Sequence, residues 1–344
     1  MADHEAGRVL LADAVATAEA IIGDEGHGGR GHIMHVLFVL RAAGCDVDYA
    51  TLACLTGYPF TFYYCHDNYH VAYSIPDGWE ERVARATGFA WEWVPHYSLL
   101  ELFDHIRDTI ASGRLATAEY PEGVTFAGVE DAPQPEGRRL FSFDPDFEWP
   151  GKWWDWSKIQ QWYVHWGDPE THRFRTDIGR IAKRVEAAPP REMAIEMLRS
   201  IPVWSEDTHP ESLPEARFGL AGIEAYASDI ADLSEDEEYM AGPWRGCHAI
   251  NPQWRARACP SVYLQRIAGA LDGPARRRVL AAARQYEQAY ALWVDWSARL
   301  GGPAGRDAWS SANQRQAGAA AIRRACAHER AAVDEIREAL QASS

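Results

Sequence analysis

The 344-residue chain is short of four things: long apolar runs, an excess of basic charge, paired cysteines and lysine. No stretch approaches the roughly 18 consecutive apolar residues of a membrane span. The N-terminus, "MADHEAGRVLLADAV", is acidic where a signal peptide would be basic. Both features predict a cytoplasmic protein without a membrane partner. Its 34 basic against 50 acidic residues give a formal charge of −16, which repels the phosphates of nucleic acids and anionic lipids and argues against either as a partner. Six cysteines, at 45, 54, 65, 247, 259 and 326, have neither CxxC spacing nor the density of a disulfide framework. Reduced thiols are therefore expected, with no zinc ribbon.

What is present is enough apolar residue, 47%, for one large core or two packed ones. Residues 7–22 and 32–43 carry helical apolar spacing, with Ile33, Val36, Leu37 and Leu40 on one face. A third helix is expected from Asp48 as N-cap to Gly57. From residue 60 the texture turns to short aromatic and β-branched runs, "FTFYYCH", "GFAWEWVP", "GRLATAEY", "GVTFAGVED" and "RRLFSFDPDF", interrupted by one helix near 98–111. Residues 149–176 are irregular and rich in tryptophan, and "VEAAPPRE" marks a boundary near 185–191. Helical spacing then continues almost to the end, broken by Glu329 at one interior-facing position. The predicted fold class is α+β: a domain over 1–185 with an antiparallel sheet, then a helical domain over 186–344.

Three stretches carry a resemblance. "HVLFVLRAAGCDVDYATLACLTGYPFTF" resembles the segment that follows the nucleophile in bacterial papain-like proteins of the C39-peptidase-like and butirosin-biosynthesis-H-like type. "PEGVTFAGVED" followed by "LFSFDP" is similar to that family's two strands, the first bearing its histidine and the second ending in Asp-Pro. The stretch "FGLAGIEAYASDIADL" and the Ala-rich helices after it look like the butirosin-type extension. The resemblance implies a papain-like, cysteine-peptidase-like N-terminal domain. It puts the family's cysteine at Gly31 or His32 and its histidine near Gly123 or Val124, leaving only Asp144 of the triad. Peptide hydrolysis on such a scaffold needs a thiolate activated by imidazole, so peptidase activity is not expected. It further implies natural-product biosynthesis, where relatives transfer acyl groups from carrier proteins to amines. The expected partners are then a small amine-bearing substrate and an acyl or amino carrier protein or a partner enzyme.

In place of a nucleophile stands "GDEGHGGRGHIMH". Gly28, Gly29 and Gly31 let an anion approach the unpaired N–H groups at a helix start, and Arg30 adds forked donors. A flexible loop is the plainer use of such glycines. The stretch matches neither a phosphate-binding loop nor a dinucleotide fingerprint. His32, His66 and Asp67 are candidate acid–base groups, Glu122 a candidate base for an amine, and Asp144 its orienting partner. Trp153 and Trp156 are candidates for a substrate wall, although packing is the commoner role of such residues. The pairs His32/His35 and His66/His70 have zinc-compatible spacing but lack the glutamate of an HExxH site, so neither metal nor cofactor is expected. The expected chemistry is ring closure with loss of sulfate or phosphate, or a related group transfer. Two alternatives are weighed against it. One is an inactive papain-like binding protein that docks through 149–166 and 233–246; the other is a zinc hydrolase built on the histidine pairs.

Overall fold

The computed structural model describes residues 2–5, 7–24, 32–65, 70–72, 75–96, 98–118, 124–143, 151–166, 176–206, 216–232, 255–300, 309 and 311–343. In chain order the elements begin with strands β1 (Ala2–Glu5) and β2 (Arg8–Leu11) and helices α1 (Ala12–Asp24), α2 (His32–Ala42) and α3 (Tyr49–Thr56). There follow β3 (Tyr63–Cys65), β4 (His70–Ala72), α4 (Trp79–Thr87), β5 (Phe89–His96), α5 (Leu99–Ala111), β6 (Ala116–Ala118), β7 (Val124–Glu130) and β8 (Arg139–Phe143). Next come β9 (Lys152–Asp155), α6 (Trp156–Trp166), β10 (Thr176–Arg184), α7 (Pro190–Ser205), β11 (Ala216–Phe218) and α8 (Gly219–Asp232). The chain closes with α9 (Cys259–Ile267), α10 (Gly273–Leu300) and α11 (Ala312–Ser343). The fold is α+β, with antiparallel strand pairing and a helical C-terminal region. No helix among the described residues is long and apolar enough to cross a membrane.

The chain divides into two compact units, one of residues 1–49 and 83–187, the other of 50–82 and 188–344. The sequence reading sets its boundary at 185/186, two residues from the third crossing, and does not foresee the transfer of 50–82. In the first unit an eight-stranded sheet runs in the order β1-β2-β7-β6-β10-β5, with β8 and β9 added along β7. Helices α2 and α5 cover opposite faces of this sheet. His35 of α2 reaches Thr125, which is in register with Thr117 and, through it, Gly179; His105 of α5 reaches Arg180, whose side chain points the other way. Helix α2 is apolar all round, and every residue from Ile33 to Leu40 is buried, as befits a helix enclosed by its own unit.

Both covering helices stop the same way. Gly44, at φ +83°, follows α2; its N–H bonds Arg41 O and that of Cys45 bonds Leu40 O. Gly113, at φ +80°, follows α5; its N–H bonds Ile110 O and that of Arg114 bonds Thr109 O. These are Schellman ends, which satisfy the last carbonyls and favour glycine in the left-handed position. The start of α5 is fixed by Ser98, whose hydroxyl accepts from the Glu101 N–H at 3.2 Å.

The second unit is built on α10 and α11, paired along their length, with α7, α8 and α9 around them and a small sheet in the order β11-β3-β4. Its core joins Phe62 and Tyr64 of the β3 segment to Ile223, Tyr226, Trp293, Trp296 and Ile322. A Cβ at Gly318 would sit 2.4 Å from a Leu300 methyl, so glycine is what lets α11 approach α10 there.

Three details differ from the sequence reading. Residues 8–11 form a strand paired with β7, so the first helix starts at Ala12. The segment expected to be irregular contains β9 and α6, and "TDIGRIAKR" forms β10, the strand between β6 and β5.

Candidate functional site

The start of α2, the start of β7 and the end of β8 meet. His35, one turn into α2 and fully buried, has Nδ1 2.7 Å from Thr125 Oγ1. Thr125 lies opposite Phe143, the last residue of β8, and the Phe143 ring is 5.9 Å from that of Phe38. Chain positions some ninety residues apart are thus held together by one hydrogen bond and one aromatic contact.

These are the described ends from which the expected site is reached. Glu122 precedes Val124 by two residues, Asp144 follows Phe143, and Gly28, Gly29, Arg30 and Gly31 precede α2. All six lie outside the described residues, as do His66 and Asp67 in the connection between the paired residues Cys65 and His70. His32 is the first residue of α2, and its side chain is likewise outside the description.

The tryptophans are placed. Trp156, 2% exposed, packs its ring on Phe103 at 5.1 Å, which makes it a core residue of the first unit rather than an open wall. Trp153 already carries a cation, the Arg8 guanidinium lying 4.6 Å above its ring, and it packs edge-on to Phe141. Trp154 is also buried, while Lys152 and Asp155 beside it are exposed. The second segment of that expected interface, 233–246, lies outside the described residues.

Among the described residues no group of three or more His, Cys, Asp or Glu side chains is arranged to hold a metal ion. The five described cysteines are buried thiols, none of them in a disulfide. Burial pushes the Cys45 thiol up, and burial beside Glu329 and Glu224 pushes that of Cys326 up to about 12. Both are protonated at neutral pH and poor nucleophiles.

A cluster that the sequence reading did not single out lies on the α5 face of the sheet. His96 Nε2 is 2.7 Å from His105 Nδ1, Arg180 Nη1 is 3.1 Å from His105 Nε2, and Arg180 Nε donates to Glu92 at 2.6 Å. Arginine only donates, so His105 Nε2 must accept; a neutral His105 then carries its proton on Nδ1 and donates it to His96. Burial holds both imidazoles below their ordinary range, and with the neighbouring His96 and Arg180 it brings His105 down to about 4. The result is a directed chain of neutral imidazoles anchored on an ion pair. Glu92 and His96 share a strand face, a period-2 signal visible in "FAWEWVPH". Their partner Arg180 stands across from Glu92 only through strand register.

No family model matches this chain, and no curated protein does.

Proposed function

We propose that the protein is a papain-like scaffold without a peptidase nucleophile, acting on a small amine-bearing substrate by ring closure with loss of sulfate or phosphate. The observation that carries this reading is the meeting of α2, β7 and β8 at Thr125. The resemblance assigns the three parts of a papain-like centre to those chain ends, and their meeting supports it. The high thiol pKa values of Cys45 and Cys326 also fit a chemistry that uses no cysteine.

In this reading Glu122 takes a proton from the substrate ammonium and Asp144 orients the resulting amine. The nitrogen lone pair attacks the carbon bearing the ester oxygen; the C–N bond forms, the C–O bond breaks and its electrons leave with the sulfate or phosphate. Backbone N–H groups at Gly28, Gly29 and Gly31, with Arg30, receive that charge, and His32 adds a titratable donor. The acid–base pair His66 and Asp67 stays in the proposal as a proton relay. A carrier-tethered acyl unit is the substrate class that the resemblance supplies.

The test supplies 2-aminoalkyl sulfate and phosphate esters and follows inorganic anion release by ion chromatography. Arg30→Ala and Glu122→Gln are each expected to lose about 10²-fold or more in rate, with an unchanged melting temperature. Release by both variants at the wild-type rate, or no release from any such ester, overturns the reading.

A further inference from the structure

A second site lies at the opposite end of α2. An open cavity of about 240 Å³ is lined wholly by residues of the first unit, among them the apolar Ala14, Val39, Ala42, Leu115 and Ile181. Three cationic residues, Arg114, Lys183 and Arg184, also line it. In a chain of net charge −16 such a gathering stands out, and no acidic residue is among the described residues that line the cavity. Arg184 rests its guanidinium 4.4 Å above the Phe89 ring and touches the Ala43 carbonyl at 3.4 Å; among the described residues none of the three cations is paired with a carboxylate. The Schellman ends of α2 and α5 lie at the same place; backbone N–H groups satisfy the carbonyls of Leu40, Arg41, Thr109 and Ile110, and of the three cations only Arg184 reaches a helix-end carbonyl, that of Ala43.

We infer that this cavity binds a small organic anion with an aliphatic body, its carboxylate held by Arg184 and Arg114 and its chain on the alanine and branched-side-chain floor. The volume sets the size. A space of about 240 Å³ takes the body of a short carboxylic acid. The apolar floor separates this ligand from a bare inorganic anion, and the cations separate it from a neutral alcohol or amide. The 11-residue α2 spans about 16 Å between this cavity and the helix start, so the two sites are independent of each other.

Isothermal titration of the full chain with hexanoate tests the inference, with hexanamide and sulfate as controls. Saturable one-to-one binding of hexanoate is expected, with hexanamide and sulfate at least tenfold weaker. Arg184→Gln and the exposed Arg114→Gln should each weaken hexanoate binding several-fold, and Ala14→Leu should fill the space and abolish it, all with unchanged circular dichroism. The inference is overturned by no saturable binding, by equal binding of hexanamide or of sulfate, or by wild-type affinity in both arginine variants. None of these residues belongs to the proposed reaction site, so failure here leaves that proposal standing, and the converse holds.

Discussion

Replacing Glu329 by leucine isolates one buried charge. Glu329 Oε1 accepts from Arg257 Nε at 3.2 Å and from Trp293 Nε1 at 2.9 Å, while Arg257 Nη1 donates to the Pro59 carbonyl at 2.7 Å. The arginine and glutamate side chains are 1% and 5% exposed. Leucine keeps the volume of the glutamate roughly but leaves a guanidinium without a counter-charge and an indole N–H without an acceptor. Breaking a buried pair from one side costs about 3–5 kcal/mol. In a unit of this size that is a fall of roughly 10 °C or more in melting temperature. The double variant Arg257→Met/Glu329→Leu removes both charges and orphans the Pro59 carbonyl and the Trp293 indole N–H. Its cost should be about 2–4 kcal/mol, near that of two unsatisfied buried groups. The buried Arg257 Nη2, which has no hydrogen-bond partner, makes the ion pair easier still to improve upon. Urea denaturation followed by far-UV circular dichroism supplies the four corners of the cycle, with a coupling of about 2 kcal/mol or more expected. A loss under about 1 kcal/mol for Glu329→Leu would refute the reasoning, because it would mean that the arginine finds water or another acceptor once its partner is gone.

Two further outcomes follow from the first unit. His105 is held neutral in the fold, with a pKa lowered from 6.5 to about 4, so the unfolded chain binds the extra proton; stability is complete above pH 6.5 and declines as pH falls toward 4. Because the group is only partly buried, the slope should be about half the full 1.4 kcal/mol per pH unit. Urea titrations from pH 7 to 4 should show that slope flattened in His105→Gln, and parallel curves would contradict it. Gly179→Ala places a Cβ 2.4 Å from the Trp91 ring and should cost about 1–3 kcal/mol through overpacking. In Gly44→Ala nothing lies within 4 Å of the new Cβ, so only the left-handed backbone is penalised, by about 1–2 kcal/mol. Thermal melts with near-UV circular dichroism separate the two, since only the first should disturb tryptophan signals.

The fold was legible where one periodicity ran unopposed. "IMHVLFVL" reads as a buried helix because it has no polar face, and the spacing of Val279, Ala283, Tyr286, Tyr290 and Trp293 reads as a core-facing stripe; all of these are buried except the half-buried Tyr290. Glu329 was visible as a polar residue at an interior position, and its partner Arg257, 72 residues earlier, was not. Residues 8–11 merged with the helix that follows, because four apolar-leaning residues fit either period and only pairing with β7 makes them a strand. The short β3 run read as part of the main sheet, since nothing local tells "FYYC" that its neighbour is β11, about 150 residues on. For the candidate site, the order of elements indicated which chain ends belong together. The His96–His105–Arg180 chain escaped notice because it depends on a register between strands 88 residues apart.

The way the backbone passes three times between the units has a consequence for synthesis and for dissection. A ribosome delivers Phe62 and Tyr64 well before Tyr226, Trp293 and Ile322, the residues that enclose them. The nascent chain must therefore carry an unpaired strand and exposed aromatic rings until β11 and the last two helices emerge. Cut at residue 186, the C-terminal piece would lack Phe62 and Tyr64 from its interior and the N-terminal piece would carry a stray hairpin, so neither half of the gene encodes a self-sufficient piece.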